Sequence, residues 1–248
     1  VMMRGLRMMG LQHIDFIVPN RFVHGYGLTT ELLNEIDSET QPDLLITVDN
    51  GIASLDGVAL AKQRGMQVLI TDHHLAAEQL PQADAIVNPN QPGDNFPCKM
   101  LAGVGVAFYV LVGLRQGLRD INWFELQQLA EPRLVELLDL VALGTVADVV
   151  PLDRLNRTLV DLGLKRMRQG RACAGISALL QIAGKDINRL SAQDLGFAIA
   201  PRLNAAGRME DMGLGIDTLL TDNFAMAQQA AQLLDQINIE RRSVEQGM

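Results

Sequence analysis

Aromatic side chains make up only 4% of these 248 residues, so the core must be built from leucine, valine, isoleucine, alanine and methionine. Cysteine is scarcer still. Cys98 and Cys173 lie far apart in no metal or redox spacing, and they read as buried or idle thiols in a reducing cytoplasm. No run of 18 apolar residues occurs, so no membrane span is expected. The opening segment, Val1 to Gly10, has neither the long apolar centre nor the small-residue cleavage site of a secretory leader. It reads as the last turns of an amphipathic helix. Because the chain opens with Val in mid-helix and closes at Glu240–Met248 without a cap, it is expected to be a fragment. The net charge of −8 argues against a generic polyanion binder.

What is present is apolar: 48% hydrophobic residues, enough core for one large domain or two smaller ones. Charge is unevenly spread. Residues 31–94 hold eleven Asp or Glu against two Lys or Arg, whereas residues 154–208 hold ten Lys or Arg against three Asp. An acidic half followed by a basic segment suits a phosphate-bearing substrate gripped between them; a solvated basic helix face is the plainer reading.

Short apolar runs and helical segments alternate in the first half. Residues 14–18, 44–48 and 67–71 read as strands, residues 29–38 and 54–64 as helices, and 83–87 as a further short apolar piece. This pattern predicts an α/β fold with a doubly wound parallel sheet. Beyond Leu101 the strand signal fades. Helices are expected over 101–118, 131–143, 153–169, 175–183, 191–199, 213–220 and 223–242, the last burying Leu233, Leu234 and Ile237 on one face. The expected organisation is a core over 1–150, a helical part with the basic segment over 151–222, and the start of a long connector helix over 223–248.

Two strand ends carry the chemistry. Val48 is followed by Asp49-Asn50-Gly51, and Thr71 by Asp72-His73-His74. The 23 residues between Asp49 and Asp72 are about one strand–helix–strand unit, so both ends should open on the same sheet edge. Carboxylates and imidazoles converging there would make a divalent-metal site, which suggests a metal-dependent phosphoesterase. Asn-Gly alone is an ordinary turn pair. Neighbouring residues alternate in direction, so His73 and His74 take different tasks, one as a metal ligand and one on the scissile phosphate. Asp72 would orient an imidazole from behind. Asp148, in Gly144-Thr-Val-Ala-Asp-Val-Val-Pro151, lies in an apolar run expected to be partly buried, where a carboxylate needs a partner or a metal.

Gly103-Val-Gly105 opens the helix at 101–118 without a third glycine or a preceding strand, so no dinucleotide or other organic cofactor is expected. These glycines could present backbone N–H groups to a phosphate or simply permit close helix packing. Arg202, Asn204 and Arg208 fall in Ala200-Pro-Arg-Leu-Asn-Ala-Ala-Gly-Arg208, expected to be a loop between helices whose arginine forks suit phosphate oxygens.

Thr47-Val-Asp-Asn-Gly51, Thr71-Asp-His-His74, Gly144-Thr-Val-Ala-Asp148 and Pro201 to Arg208 resemble successive motifs of the DHH phosphoesterase superfamily. Leu101 to Phe108 and Pro201 to Arg208 are more similar to its single-strand-specific exonuclease members. The resemblance implies a two-metal Mn²⁺ or Mg²⁺ centre, with Asp49 bridging both ions, His73 and Asp148 each on one, and His74 on the phosphate. It implies that Arg202, Asn204 and Arg208 hold the nucleic-acid backbone. It also implies stepwise release of 5′-mononucleotides from the 5′ end of single-stranded DNA in repair and recombination, with a helicase or single-strand-binding protein as partner and no membrane. The superfamily's first motif, an Asp-x-Asp pair, is absent here, as are its C-terminal domains. The remaining ligands are therefore expected upstream, and this stretch by itself is expected to be weak or inactive. The rival readings are a DHH phosphoesterase for very short oligonucleotides or pyrophosphate, and a non-catalytic scaffold.

Overall fold

The computed structural model describes residues 1–20, 23–37, 39, 41–206 and 213–246. It divides into two compact units. The first comprises Val1–Leu134 and Val150–Asn156; the second comprises Val135–Val149 and Arg157–Met248.

The first unit runs α1 (Met2–Met8), α2 (Thr30–Asn34), β1 (Leu44–Val48), α3 (Leu55–Gln63), β2 (Gln67–Thr71), β3 (Ala85–Val87), α4 (Gly103–Asp120) and α5 (Trp123–Leu126). The strands form a parallel sheet in the order β1-β2-β3. β1 and β2 have the bounds expected from their apolar runs. The helix between them also stands where expected: Ser54 precedes its first turn, and Gly65, at φ +85°, takes the left-handed conformation that ends it. Val68 and Ile70 are fully buried against Leu32 and Leu33 of α2 and Val58 and Ala61 of α3. By the two-residue period Leu69 and Thr71 project to the other face, and α4 also packs on β1 and β2.

Residues 14–18 do not form the expected strand. Ile14, Phe16 and Val18 are half-buried while Asp15 and Ile17 are exposed, so the alternation is real. A strand also needs a ladder, and among the described residues β1 pairs only with β2.

The second unit is helical. Its elements are a 3₁₀ turn (Leu134–Leu137) that begins at the junction, α6 (Leu138–Ala147), α7 (Arg154–Arg168), α8 (Ala174–Ile182), α9 (Ala192–Asp194), a π turn (Leu195–Ile199), α10 (Ala200–Ala206), α11 (Gly213–Leu220) and α12 (Phe224–Gln246). α12 packs on α8, α10 and α11. Its buried stripe is Ala227, Ala231, Leu234 and Asn238, spaced by three or four residues. Leu233, expected inside, is 53% exposed, because small alanines rather than Leu233 centre the stripe. Buried Asp139 on α6 accepts from the backbone N–H of Cys173 at 2.7 Å, supplying the cap that α8 lacks locally.

Arg202 and Asn204 lie on α10 and not in the expected loop. Pro201 has no N–H for the carbonyl of Phe197, and in a regular α-helix its ring would crowd that carbonyl. The wider π turn immediately before it relieves the clash and lets the helix continue. This run starts at a capping box. The Ser191 hydroxyl accepts from the Asp194 backbone N–H, and the Asp194 carboxylate accepts from Ser191. The Ser191 hydroxyl and then Lys185 hold the Asp194 carboxyl at about 2, below its ordinary 3.8. A depressed carboxyl stabilises the fold above pH 3.8 and loses that contribution as pH falls toward 2. Ser191→Ala should therefore cost about 1 kcal/mol near neutrality. Thermal melts from pH 6 to pH 2 should show a shallower acid slope than wild type, the exposed ion pair keeping the difference within about 1 kcal/mol.

Candidate metal centre

Val48 pairs with Thr71, and Thr71 with Val87, so the three strands end on one line. The residues one step beyond are Asp49, Asp72 and Asn88. The ladder continues through two of them: the Asp49 N–H donates to Thr71 O at 2.9 Å, and the Asp72 N–H donates to Val87 O at 3.1 Å.

Asp49 has φ +63°, a left-handed conformation that Asp tolerates better than most residues. The turn that follows is tied to itself. Asn50 Nδ2 donates to Val48 O at 2.9 Å, and the Thr47 hydroxyl donates to Asn50 O at 2.7 Å. Gly51, at φ +110°, has no room for a Cβ beside Thr47 Oγ1. The carboxylate of Asp49 is thus turned outward at the sheet edge, with its side chain 52% exposed.

Asp72 is 1% exposed. One oxygen accepts from the Ile52 N–H at 2.9 Å; the other accepts from the His73 N–H at 2.7 Å and the His74 N–H at 3.2 Å, and meets His74 Nδ1 at 2.7 Å. Burial pushes this carboxyl up, but the bonds from Ile52, His74 and His73 together outweigh it and hold the group below its usual range. Asp72 thus ties down the His74 ring through Nδ1.

His73 Nε2 lies 3.1 Å from Asp49 Oδ1, and the His73 and His74 rings meet edgewise with centroids 4.6 Å apart. Ligand atoms of Asp49, His73 and His74 all fall within 4.8 Å of one another. Bonds of about 2.1 Å set adjacent ligands about 3 Å apart, so this group fits a divalent cation. Mixed nitrogen and oxygen donors suit Mn²⁺ and accept Mg²⁺.

Three residues brace the group that the sequence reading did not single out. Asn88 Nδ2 donates to His74 O at 2.9 Å, and Asn90 Nδ2 donates to His73 O at 2.6 Å. The Tyr26 hydroxyl donates to Asp49 O at 3.3 Å, and its ring stands edgewise to His74. The signal for Asn88 was available: a polar residue follows Ala-Ile-Val87 just as Asp49 follows Val48.

Gly103 opens α4 beside this group. A Cβ there would overlap the Asp49 carboxylate, lying 2.6 Å from Cγ, so the glycine is required by close approach. Gly105 faces Leu101 in the same way, with Cγ at 2.9 Å. Asp148 is the C-cap of α6 in the second unit. It is exposed, not partly buried as expected, because α6 ends at Ala147 and the chain turns through Val149 at φ +61°. On α10, Arg202 Nη1 donates to Ala198 O at 2.6 Å and Nη2 pairs with Asp235 at 2.7 Å, while Asn204 is exposed. Arg208 lies outside the described residues.

Asp72→Asn should weaken this centre. Asparagine offers one acceptor oxygen where the carboxylate offers two, leaving a buried N–H unmatched and the His74 tautomer unset. Mn²⁺ titration calorimetry should show affinity lowered about 10- to 100-fold.

Fold and site together define an α/β protein with a carboxylate–imidazole cluster at the carboxyl edge of a parallel sheet. Residues 1–145 match the model of the DHH family, N-terminal domain, and the chain belongs to that family. It is 53% identical to the single-stranded-DNA-specific exonuclease RecJ of Salmonella typhimurium over 244 residues, and 52% identical to that of Escherichia coli over 243. Each match covers 98% of this chain and 42% of the relative. A crystal structure of exonuclease RecJ bound to manganese superposes with TM-score 0.82 at 33% identity, covering 99% of this chain and 58% of that one. RecJ from Thermus thermophilus in complex with Mn²⁺ gives 0.76 at 31%, covering 99% and 33%.

Proposed function

We propose that this chain carries part of the metal centre of an exonuclease that removes 5′-mononucleotides from the 5′ end of single-stranded DNA. The observation behind this reading is the Asp49–His73–His74 group braced by buried Asp72. The naming of the relatives as single-stranded-DNA-specific exonucleases supplies the substrate. In this reading Asp49, His73 and Asp148 hold Mn²⁺ or Mg²⁺. The bound ions would supply an activated water and charge stabilisation at phosphorus. His74, oriented by Asp72, lies against the scissile phosphate. Asn204 and Arg208 follow the DNA backbone, Arg202 braces its helix through Ala198 O and Asp235, and the amides at Gly103 and Gly105 take a phosphate oxygen. A reducing cytoplasm, and a helicase or single-strand-binding protein as partner, accord with the same reading. The chain spans 42% of the length of these relatives, so weak activity is expected of this stretch alone.

The test uses the full-length protein and 5′-phosphorylated single-stranded DNA, with Mn²⁺ and with chelator. Metal-dependent release of 5′-mononucleotides is expected. Turnover confined to dinucleotides or pyrophosphate would favour a small-substrate phosphoesterase, and the absence of both digestion and metal uptake would favour a scaffold.

A further inference from the structure

Phe197 is the most exposed phenylalanine among the described residues, at 74%. It sits on the π turn between α9 and α10, and such turns recur at functional sites. The turn is firmly held. Leu195 and Ile199 are fully buried and Ala198 is 7% exposed. A Cβ at Gly196 would lie 3.2 Å from Val146 of α6. The Arg202 guanidinium grips the Ala198 carbonyl and Asp235 of α12, and the capping box at Ser191 fixes the start of the run. A rigid backbone thus presents one aromatic ring to solvent. One turn further along the same helical run come Pro201 and Arg202, and then exposed Asn204. Along the sequence, the segment 154–208 that contains Phe197 carries ten cations against three anions.

An exposed phenylalanine alone is ordinary. A rigidly held one within a cation-rich stretch of sequence has what single-strand grips use, since any base stacks on an aromatic face while cations track the phosphates. We propose that Phe197 is a stacking platform for a base of the single strand. This rests on the single-strand reading above and adds to it a residue that sets affinity for long substrates.

The test places tryptophan at the site, Phe197→Trp, in the full-length protein; Trp123 is this chain's one native tryptophan. Oligo(dT) should quench the new emission, with an intensity loss absent from wild type. Phe197→Leu should bind oligo(dT) about 10- to 100-fold more weakly than wild type, with unchanged thermal melting and unchanged Mn²⁺ affinity. Equal oligo(dT) affinity of the leucine variant and wild type would overturn the platform while leaving the exonuclease reading intact. A blue-shifted, unquenched tryptophan would also overturn it, because the rest of the protein would then cover the ring. If wild type neither binds nor digests single strands, both readings fail.

Discussion

Asp49→Asn is expected to lower metal-dependent DNA hydrolysis by the full-length protein about a thousandfold or more. Asparagine is the informative replacement. Asp49 holds φ +63°, which Asn tolerates, whereas other side chains would add backbone strain of about 1–2 kcal/mol. The tie from Tyr26 reaches the Asp49 main-chain oxygen and survives the change. Only the negative charge and one acceptor oxygen are lost. Metal ions contribute several kcal/mol to the charge that develops at phosphorus, and about 4 kcal/mol corresponds to a thousandfold. Single-turnover digestion alongside Mn²⁺ calorimetry checks this. Unchanged hydrolysis at saturating Mn²⁺ would remove Asp49 from the centre.

The second large effect is expected from one added methyl group. At Gly103→Ala the new Cβ overlaps the Asp49 carboxylate. The opposing atoms belong to a side chain on a turn tied by Thr47, Asn50 and Gly51, so the carboxylate is the part that gives way. A ligand moved by about 1 Å loses its geometry, and rates fall about a hundredfold for such misplacement. Gly105→Ala makes the natural control, because its Cβ meets Leu101 instead. Crowding a packed core costs about 1–3 kcal/mol of stability. The pair should therefore divide, with Gly103→Ala losing activity near its normal melting temperature and Gly105→Ala melting earlier with near-normal activity. A Gly103→Ala protein with full activity would show that Asp49 can move freely.

The features legible in the sequence were those with local causes. β1 and β2 are short apolar runs closed by turn residues, and α3 is punctuated by Ser54 and Gly65; nearest-neighbour sterics suffice for both. Asp49, His73 and His74 were legible because the strand ends share a register, which a strand–helix–strand spacing predicts. What escaped depends on distant partners. Residues 14–18 alternate like a strand, yet no ladder forms there. Pro201 signalled a break that the π turn absorbs. The exposure of Asp148 depends on where α6 stops, one residue short of it. Asn88 and Asn90 act through backbone carbonyls of the histidine loop, contacts that no spacing rule foretells.

The ladder bonds that run past the strand ends have a consequence for binding. Asp49 and Asp72 are joined through their own amides to the hydrogen-bonded framework of the sheet. Their backbones cannot wander unless that framework opens, so their mobility belongs to the slowest-opening part of the unit rather than to a surface loop. The entropy of placing Asp49, and of fixing Asp72 behind His74, is accordingly settled when the chain folds, before any ion arrives. An incoming cation meets this edge of the sheet already arranged, and less of its binding free energy goes to ordering that part of the protein.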